Sequence, residues 1–150
     1  MEIWKPNVVV AAIAEREGKF LLVEEEIEDG RLVFNQPAGH WDPGETLLEA
    51  CVRETLEETA YVFKPTHLLG VFSWTPPGDD KTYLRFAFCG EAGAHDPARK
   101  LDKEIRQALW LSADEIRACR DRHRSPLLMR CIEQYLSGAR YPLEVIEHFG

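Results

Sequence analysis

Residues 39–61, GHWDPGETLLEACVRETLEETAY, constrain this chain more than any other stretch. Glu54, Glu57 and Glu58 are spaced so that on an α-helix they share one face, within an arc of about 100°. Leu48, Val52, Thr55, Leu56 and Thr59 fall on the opposite side, which suits packing against a sheet. Ahead of the helix, Pro43-Gly44 makes a tight turn, and Thr46 with Glu49 three residues on fits a capping box. The expected element is a rigid loop running into a helix that is buried on one side and negatively charged on the other.

Two readings of the charged face stand side by side. An acidic stripe on a surface helix is commonly just solvated. Like charges at this spacing, however, weaken a helix by roughly 0.2–0.5 kcal/mol per pair. A divalent cation turns that repulsion into a site, because hard cations gather several carboxylate oxygens.

With its loop, the stretch resembles the signature of the Nudix hydrolase family. That signature is a Gly, five variable residues, Glu, seven more, Arg-Glu, an aliphatic, a variable residue, Glu-Glu, a variable residue, Gly and an aliphatic. Gly39, Glu45, Arg53, Glu54, Glu57 and Glu58 match at the right spacing. Thr55 and Tyr61 stand where aliphatics are usual, and Ala60 replaces the final Gly. A helix end often needs a left-handed residue there, and Ala adopts that conformation at a cost of about 1 kcal/mol.

A chain of 150 residues suits one domain, residues 1–150, with one substantial core. No apolar run approaches the ~20 residues of a membrane span, and no signal-peptide pattern opens the chain, so the cytoplasm is the expected compartment. The four scattered cysteines, with no short Cys-x-x-Cys pair, fit reduced thiols. A net charge of −8 argues against nucleic-acid binding. It also means that metal ions, rather than the overall field, must attract a phosphate-bearing substrate.

Taken in order, residues 7–14 and 20–24 form a hairpin about Glu17-Gly18, and the acidic run 24–29 is a solvated turn ending at Gly30. Residues 31–35 form another short strand. After the helix, residues 68–75 and 82–91 pair across the turn 76–80. On the second of these, Arg85 faces the same way as Tyr83, Ala87 and Cys89. It is either an edge residue snorkelling to water or a clamp for phosphate or carboxylate. Residues 108–111 are a strand, Ser112 caps a short helix with Glu115 at the box position, and Ser125-Pro126 opens a last helix that runs to Leu136. The pattern predicts an α/β protein, a mixed β-sheet in an α/β/α sandwich, which is also what a Nudix fold implies.

Magnesium binds through one or two carboxylates plus substrate phosphate oxygens. Glu54, Glu57 and Glu58 are the candidate metal-ligating residues and, with Arg53, the candidate catalytic ones; the Gly39 carbonyl lies beside them, and either Glu54 or Glu58 is the base. The resemblance implies Mg2+, with Mn2+ able to substitute. It makes Glu45 and Arg53 a pair that props the loop against the helix, and it adds one further acid, for which Glu104 is the candidate. Candidate substrate contacts are Arg85, with Trp74, Phe34 and Trp41 as stacking or core residues, and Gln36, which either bonds a ring edge or holds the Pro37 turn.

Carried by Trp4-Lys5-Pro6, Glu17-Gly18-Lys19-Phe20, Asn35-Gln36-Pro37-Ala38-Gly39-His40, Leu84-Arg85-Phe86, Arg124-Ser125-Pro126-Leu127 and residues 137–144, the resemblance extends over nearly the whole chain to the NudJ-type phosphatase branch of the family. It implies release of inorganic phosphate from hydroxymethylpyrimidine pyrophosphate and nucleoside tri- and diphosphates. A monomer or small homo-oligomer acting on a small phosphoanhydride, with no nucleic-acid or membrane partner, is expected. The alternatives are a broader pyrophosphohydrolase, cleaving nucleoside triphosphates, dinucleoside polyphosphates or ADP-ribose to a monophosphate, and a non-catalytic nucleotide-binding module.

Overall fold

The first two strands meet at a turn whose central residues, Glu17 (φ 52°) and Gly18 (φ 79°), are both left-handed, as a two-residue type I′ hairpin demands. The computed structural model describes all 150 residues. Strand β1 (Asn7–Arg16) and strand β2 (Lys19–Glu26) pair only at Glu15–Phe20 and Arg16–Lys19, then part. From there β2 lies between β3 (Leu32–Asn35) and β7 (Ile105–Ser112), while β1 lies between β4 (Ala38–His40) and β6 (Tyr83–His95). The simple hairpin expected from sequence is thus a hinge between two halves of one sheet. The sheet is mixed because β1 and β6 run parallel, from Asn7–Tyr83 to Ala14–Gly90, whereas the other pairings are antiparallel. The acidic run is also redrawn. Glu24, Glu25 and Glu26 complete β2 against β3 and β7, and the turn is confined to the residues after them.

Helix α1 (Leu47–Thr59) begins at the predicted capping box. The Glu49 amide donates to Thr46 Oγ1 at 3.1 Å, and the Thr46 amide donates to Glu49 Oε1 at 2.8 Å. The buried face is rotated from the expected one. Leu47, Ala50, Cys51, Thr55 and Thr59 are buried, whereas Leu48, Val52 and Leu56 are only half-buried. Small side chains at Ala50 and Cys51 let the helix approach the sheet closely. The two threonines satisfy their hydroxyls on the carbonyls of Cys51 (2.8 Å) and Thr55 (2.6 Å). The same rotation brings Glu58 to 6 % exposure. Ala60 ends the helix in the left-handed region (φ 63°, ψ 14°) and donates to Leu56 O, so the exit usually made by glycine is kept.

Strand β5 (Tyr61–Trp74) starts directly after that exit and pairs with β6, with three register shifts along its length. Strand β6 is therefore interior, between β1 and β5. Arg85 on it is 4 % exposed, which overturns the snorkelling alternative. Successive residues of β1 feed two cores. Val10, Ala12 and Ala14 pack with Leu47, Ala50 and Cys51 of α1, together with Phe63 and Phe88. Ile13 packs on the other face with Leu69, Ala87 and Cys89, and with Ile116 of α2 (Ala113–Ala118) and Leu128 and Ile132 of α3 (Leu127–Leu136). Each fully buried Leu, Ile or Phe contributes about 1.5–3 kcal/mol. No helix is long and apolar enough to cross a membrane.

Candidate active site

Arg53 organises the entrance to α1. Its Nε and Nη2 donate to the two oxygens of Glu45, at 3.0 and 2.7 Å, and Nη2 also reaches the His40 carbonyl at 3.1 Å. Its Nη1 donates to Glu54 Oε1 at 2.8 Å and to Glu57 Oε1 at 2.9 Å. Glu45 in turn accepts from the Asp42 amide at 2.9 Å. One planar guanidinium thereby joins the loop to the helix and fixes an oxygen on each of two carboxylates. The bond from Arg53 holds the Glu45 carboxyl below the usual range.

The connection between β6 and β7 closes over the end of the same helix, where the Asp102 amide donates to the Glu57 carbonyl at 3.1 Å. Asp102 then belongs to two groups of carboxylates, one with Glu54 and Glu57 and one with Glu58 and Glu104. In each group an oxygen from every member lies within 4.8 Å of the others. Glu58 Oε1 accepts from the Ala38 amide at 3.0 Å. Burial pushes Glu58 up to about 9, and repulsion from Glu54, Glu25 and Asp102 adds to it despite that bond. Burial raises Glu54 as well, against the pull of Arg53. Asp102 is raised by burial and then by Glu57 and Glu104.

Of these acids, Glu54, Glu58, Asp102 and Glu104 line a cavity of about 850 Å³. Glu25, Asn35, Trp74, Tyr83, Arg85 and Arg124 line the same cavity. The NUDIX domain pattern matches residues 4–131 of the chain.

The chain is a Nudix hydrolase.

It is similar to phosphatase NudJ of Escherichia coli (strain K12), with 45% identity over 149 residues that cover 99% of this chain and 95% of that protein. Among solved structures, a NUDIX hydrolase from Nitrosomonas europaea superposes with a TM-score of 0.95 at 50% identity, covering 97% of this chain and 98% of the other. A MutT NUDIX hydrolase from Burkholderia pseudomallei shares the fold, with a TM-score of 0.74 at 19% identity, over 87% of this chain and 98% of that one. The Nudix hydrolase is thus NudJ-like along its full length, in a family that acts on small phosphoanhydrides.

Nudix hydrolases typically use a divalent metal, and the residues present suit one. The donor set is wholly carboxylate oxygen, the choice of a hard cation. Burial lifts Glu58 and Asp102 first, and the repulsion from neighbouring acids that adds to it is what a dication relieves. At Gly39 a Cβ would overlap the Glu54 carboxylate, so the strand beside the cluster is kept bare to let that side chain in.

The structure brings Gly39, Glu54, Glu57, Glu58 and Glu104 together, with Arg53 and Glu45 behind them. Of the residues expected to touch substrate, Arg85 and Trp74 line the cavity, while Phe34, Gln36 and Trp41 do not. Phe34 is 6 % exposed in the core under α3, with the Arg122 guanidinium 4.2 Å from its ring centre. Gln36 is 1 % exposed and bonded at both ends of its amide, to Arg85 and Leu128. Trp41 donates from Nε1 to the Glu45 carbonyl at 2.7 Å, on the outside of the loop. Sequence reasoning passed over Asp102, Glu25 and Arg124. Asp102 stands two residues before Glu104 and carried that much signal, whereas Glu25 was masked by its acidic neighbours.

Proposed function

We propose that this Nudix hydrolase is a magnesium-dependent phosphatase, with manganese able to substitute, that releases inorganic phosphate from hydroxymethylpyrimidine pyrophosphate and from nucleoside tri- and diphosphates. The observation that carries the proposal is the full-length similarity to phosphatase NudJ, and a cluster of carboxylates at a cavity of substrate size is in keeping with it. Glu54, Glu57, Glu58, Asp102 and Glu104, with the Gly39 carbonyl, would hold the cation. When bound, it neutralises phosphate charge and lowers the pKa of a water. Arg53 keeps one oxygen each of Glu54 and Glu57 in place, and Glu45 keeps Arg53 in place. The proton of the attacking water goes to Glu54 or Glu58, the two carboxylates of α1 that line the cavity. The protein so assigned is a single domain, residues 1–150, working in the cytoplasm on small molecules as a monomer or small homo-oligomer.

The competing assignment within the family is a pyrophosphohydrolase that leaves a monophosphate. The two differ in product. A panel of hydroxymethylpyrimidine pyrophosphate, GTP, GDP and ADP-ribose, incubated with magnesium and read by phosphorus NMR, is expected to show orthophosphate from the first three. Pyrophosphate and GMP from GTP would replace this assignment with the other, and no turnover at all would leave only a nucleotide-binding module.

A further inference from the structure

One buried charge in this molecule has no carboxylate bonded to it, and Glu25, on the same cavity, feels it only at longer range. Arg85 is 4 % exposed, and its acceptors are all neutral: Gln36 Oε1 is 2.8 Å from Nη1, Asn35 Oδ1 is 3.2 Å from Nη2, and Cys131 Sγ is 3.7 Å from Nη1. No carboxylate lies within 4.0 Å of it, in contrast to Arg53. Its Nε is sealed from solvent and bonds to nothing, alone among the buried side-chain nitrogens and oxygens of the chain.

The groups that hold Arg85 are themselves held. Gln36 Nε2 donates to the Leu128 carbonyl at 2.8 Å, which turns its Oε1 toward the guanidinium. Asn35 Oδ1 also accepts from the Gln36 amide at 2.9 Å, which fixes that side chain too. Neutral acceptors offset only part of the penalty of burying a guanidinium. A neutral amide at position 85 would bond the same acceptors without that penalty. With no carboxylate bonded to it, the charge is open to an anion that enters the cavity Arg85 lines.

Its position within the cavity narrows the choice. Val9 pairs with both Arg85 and His40, whereas the next residue, Val10, pairs with Gly39 and packs in the core under α1. Alternate residues leave a strand on opposite faces, so Arg85 reaches the cavity from the face opposite the helix that carries Glu54 and Glu58. Trp74 and Tyr83, stacked at 6.2 Å between centroids and 28° between planes, stand at the same cavity.

We propose that Arg85 is a specificity-determining residue that binds an anionic oxygen of the phosphate that stays with the organic product, and that Gln36 and Asn35 are its positioning residues. The identity of that anion rests on the phosphatase assignment above, in which the departing phosphoryl group belongs to the acidic cluster. A ring carbonyl would satisfy an N–H but would leave the charge unpaired, so the phosphate is the better partner.

The test is calorimetric binding in excess EDTA, without any metal, of adenosine monophosphate against adenosine. Wild-type protein is expected to favour the monophosphate by about 10-fold or more. Arg85→Lys, which keeps the charge but loses the planar fork, is expected to remove about 10-fold from monophosphate binding while adenosine binding holds. Gln36→Leu, which frees the guanidinium, is expected to act in the same direction. In magnesium-dependent turnover both variants are expected to raise KM with kcat changed by less than a few-fold. Equal weakening of monophosphate and adenosine would make Arg85 a ring reader and overturn the proposal. So would unchanged binding in both variants, or a wild-type protein with no preference for the monophosphate, an arm that needs no variant to fold. Because these titrations exclude metal and turnover, they can fail while the NMR panel succeeds, and the reverse.

Discussion

Arg53 and Glu45 face each other through two parallel N–H···O bonds, Nε to Oε2 at 3.0 Å and Nη2 to Oε1 at 2.7 Å, across the joint between the 40–45 loop and α1. The remaining nitrogen of the same fork reaches Glu54 and Glu57. A lysine keeps the charge but has no second arm with which to hold both sides. Arg53→Lys is expected to lower activity by ~10–100-fold, as loss of outer partners at metal sites does. A magnesium titration checks it: the half-saturating concentration should rise, and an unchanged value would confine Arg53 to holding the fold.

Glu57 is the most exposed of the three helix carboxylates, at 33 % of its side chain. Glu57→Gln keeps the shape, removes one charge from the Glu54–Glu57–Asp102 group and leaves the core untouched. The melting temperature is expected to stay within ~1–2 °C, since substitutions at such positions move stability by about 0.5 kcal/mol or less. Magnesium-dependent turnover is expected to fall by ~100-fold. Near-wild-type rates would remove Glu57 from the metal group.

Gly39 lets the Glu54 carboxylate lie against strand β4. In Gly39→Ala the new methyl and that carboxylate claim the same space, and the flexible side chain is the part that yields. Misplacing a reacting group by about 1 Å costs on the order of 10²-fold in rate. The expected result is a folded protein with kcat down by about that factor, visible by comparing circular dichroism with turnover. A fully active variant would show that Glu54 has no fixed place in the chemistry.

Glu58 gives the metal-free protein a pH dependence of definite sign. Burial lifts its folded-state pKa to about 9, above the unfolded carboxyl value, so the folded form binds the extra proton between those limits. Its favourable contribution is complete below the ordinary carboxylate range and is lost as pH rises through about 9. Glu54 and Asp102, raised for the same first reason, act in the same direction. In EDTA the melting temperature is expected to fall from pH 5 to pH 9, and Glu58→Gln should flatten that slope. Adding magnesium should stabilise more at pH 8.5 than at pH 5.5, because the proton that binding must displace is held less tightly at the higher pH. A slope of opposite sign in EDTA would show that Glu58 is ionised in the metal-free protein.

The local elements were legible because their causes are local. The Thr46–Glu49 box, the Ser112–Glu115 box and the Glu17-Gly18 turn depend on hydrogen bonds and dihedrals within four residues, and each appears where the sequence puts it. Glu54, Glu57 and Glu58 share a face for the same reason, since helical periodicity alone sets their angles. The resemblance to the family signature placed Gly39, Glu45 and Arg53 beside them. Ala60 shows the limit of a motif: the left-handed exit persists at φ 63° without the glycine the signature names, because β5 pairs with β6 from Tyr61 onward and holds it.

Tertiary packing decided what strand and helix patterns leave open. Phe34, Gln36 and Trp41 looked equally able to touch a ring, and only the seating of α3 and the 40–45 loop sent them to a core, a strut and an outer surface. Asp102 joined the acids through one backbone bond to Glu57 across a gap of 45 residues. Arg85 is buried because β6 lies between β1 and β5, a fact about strand order. The sequence by itself determined which side chains a turn of helix or a capping box brings together, because those distances are fixed by backbone geometry. Which carboxylates converge, and which arginine loses its solvent, depended on chain segments far apart in sequence, whose approach is set by the packing of the whole sheet.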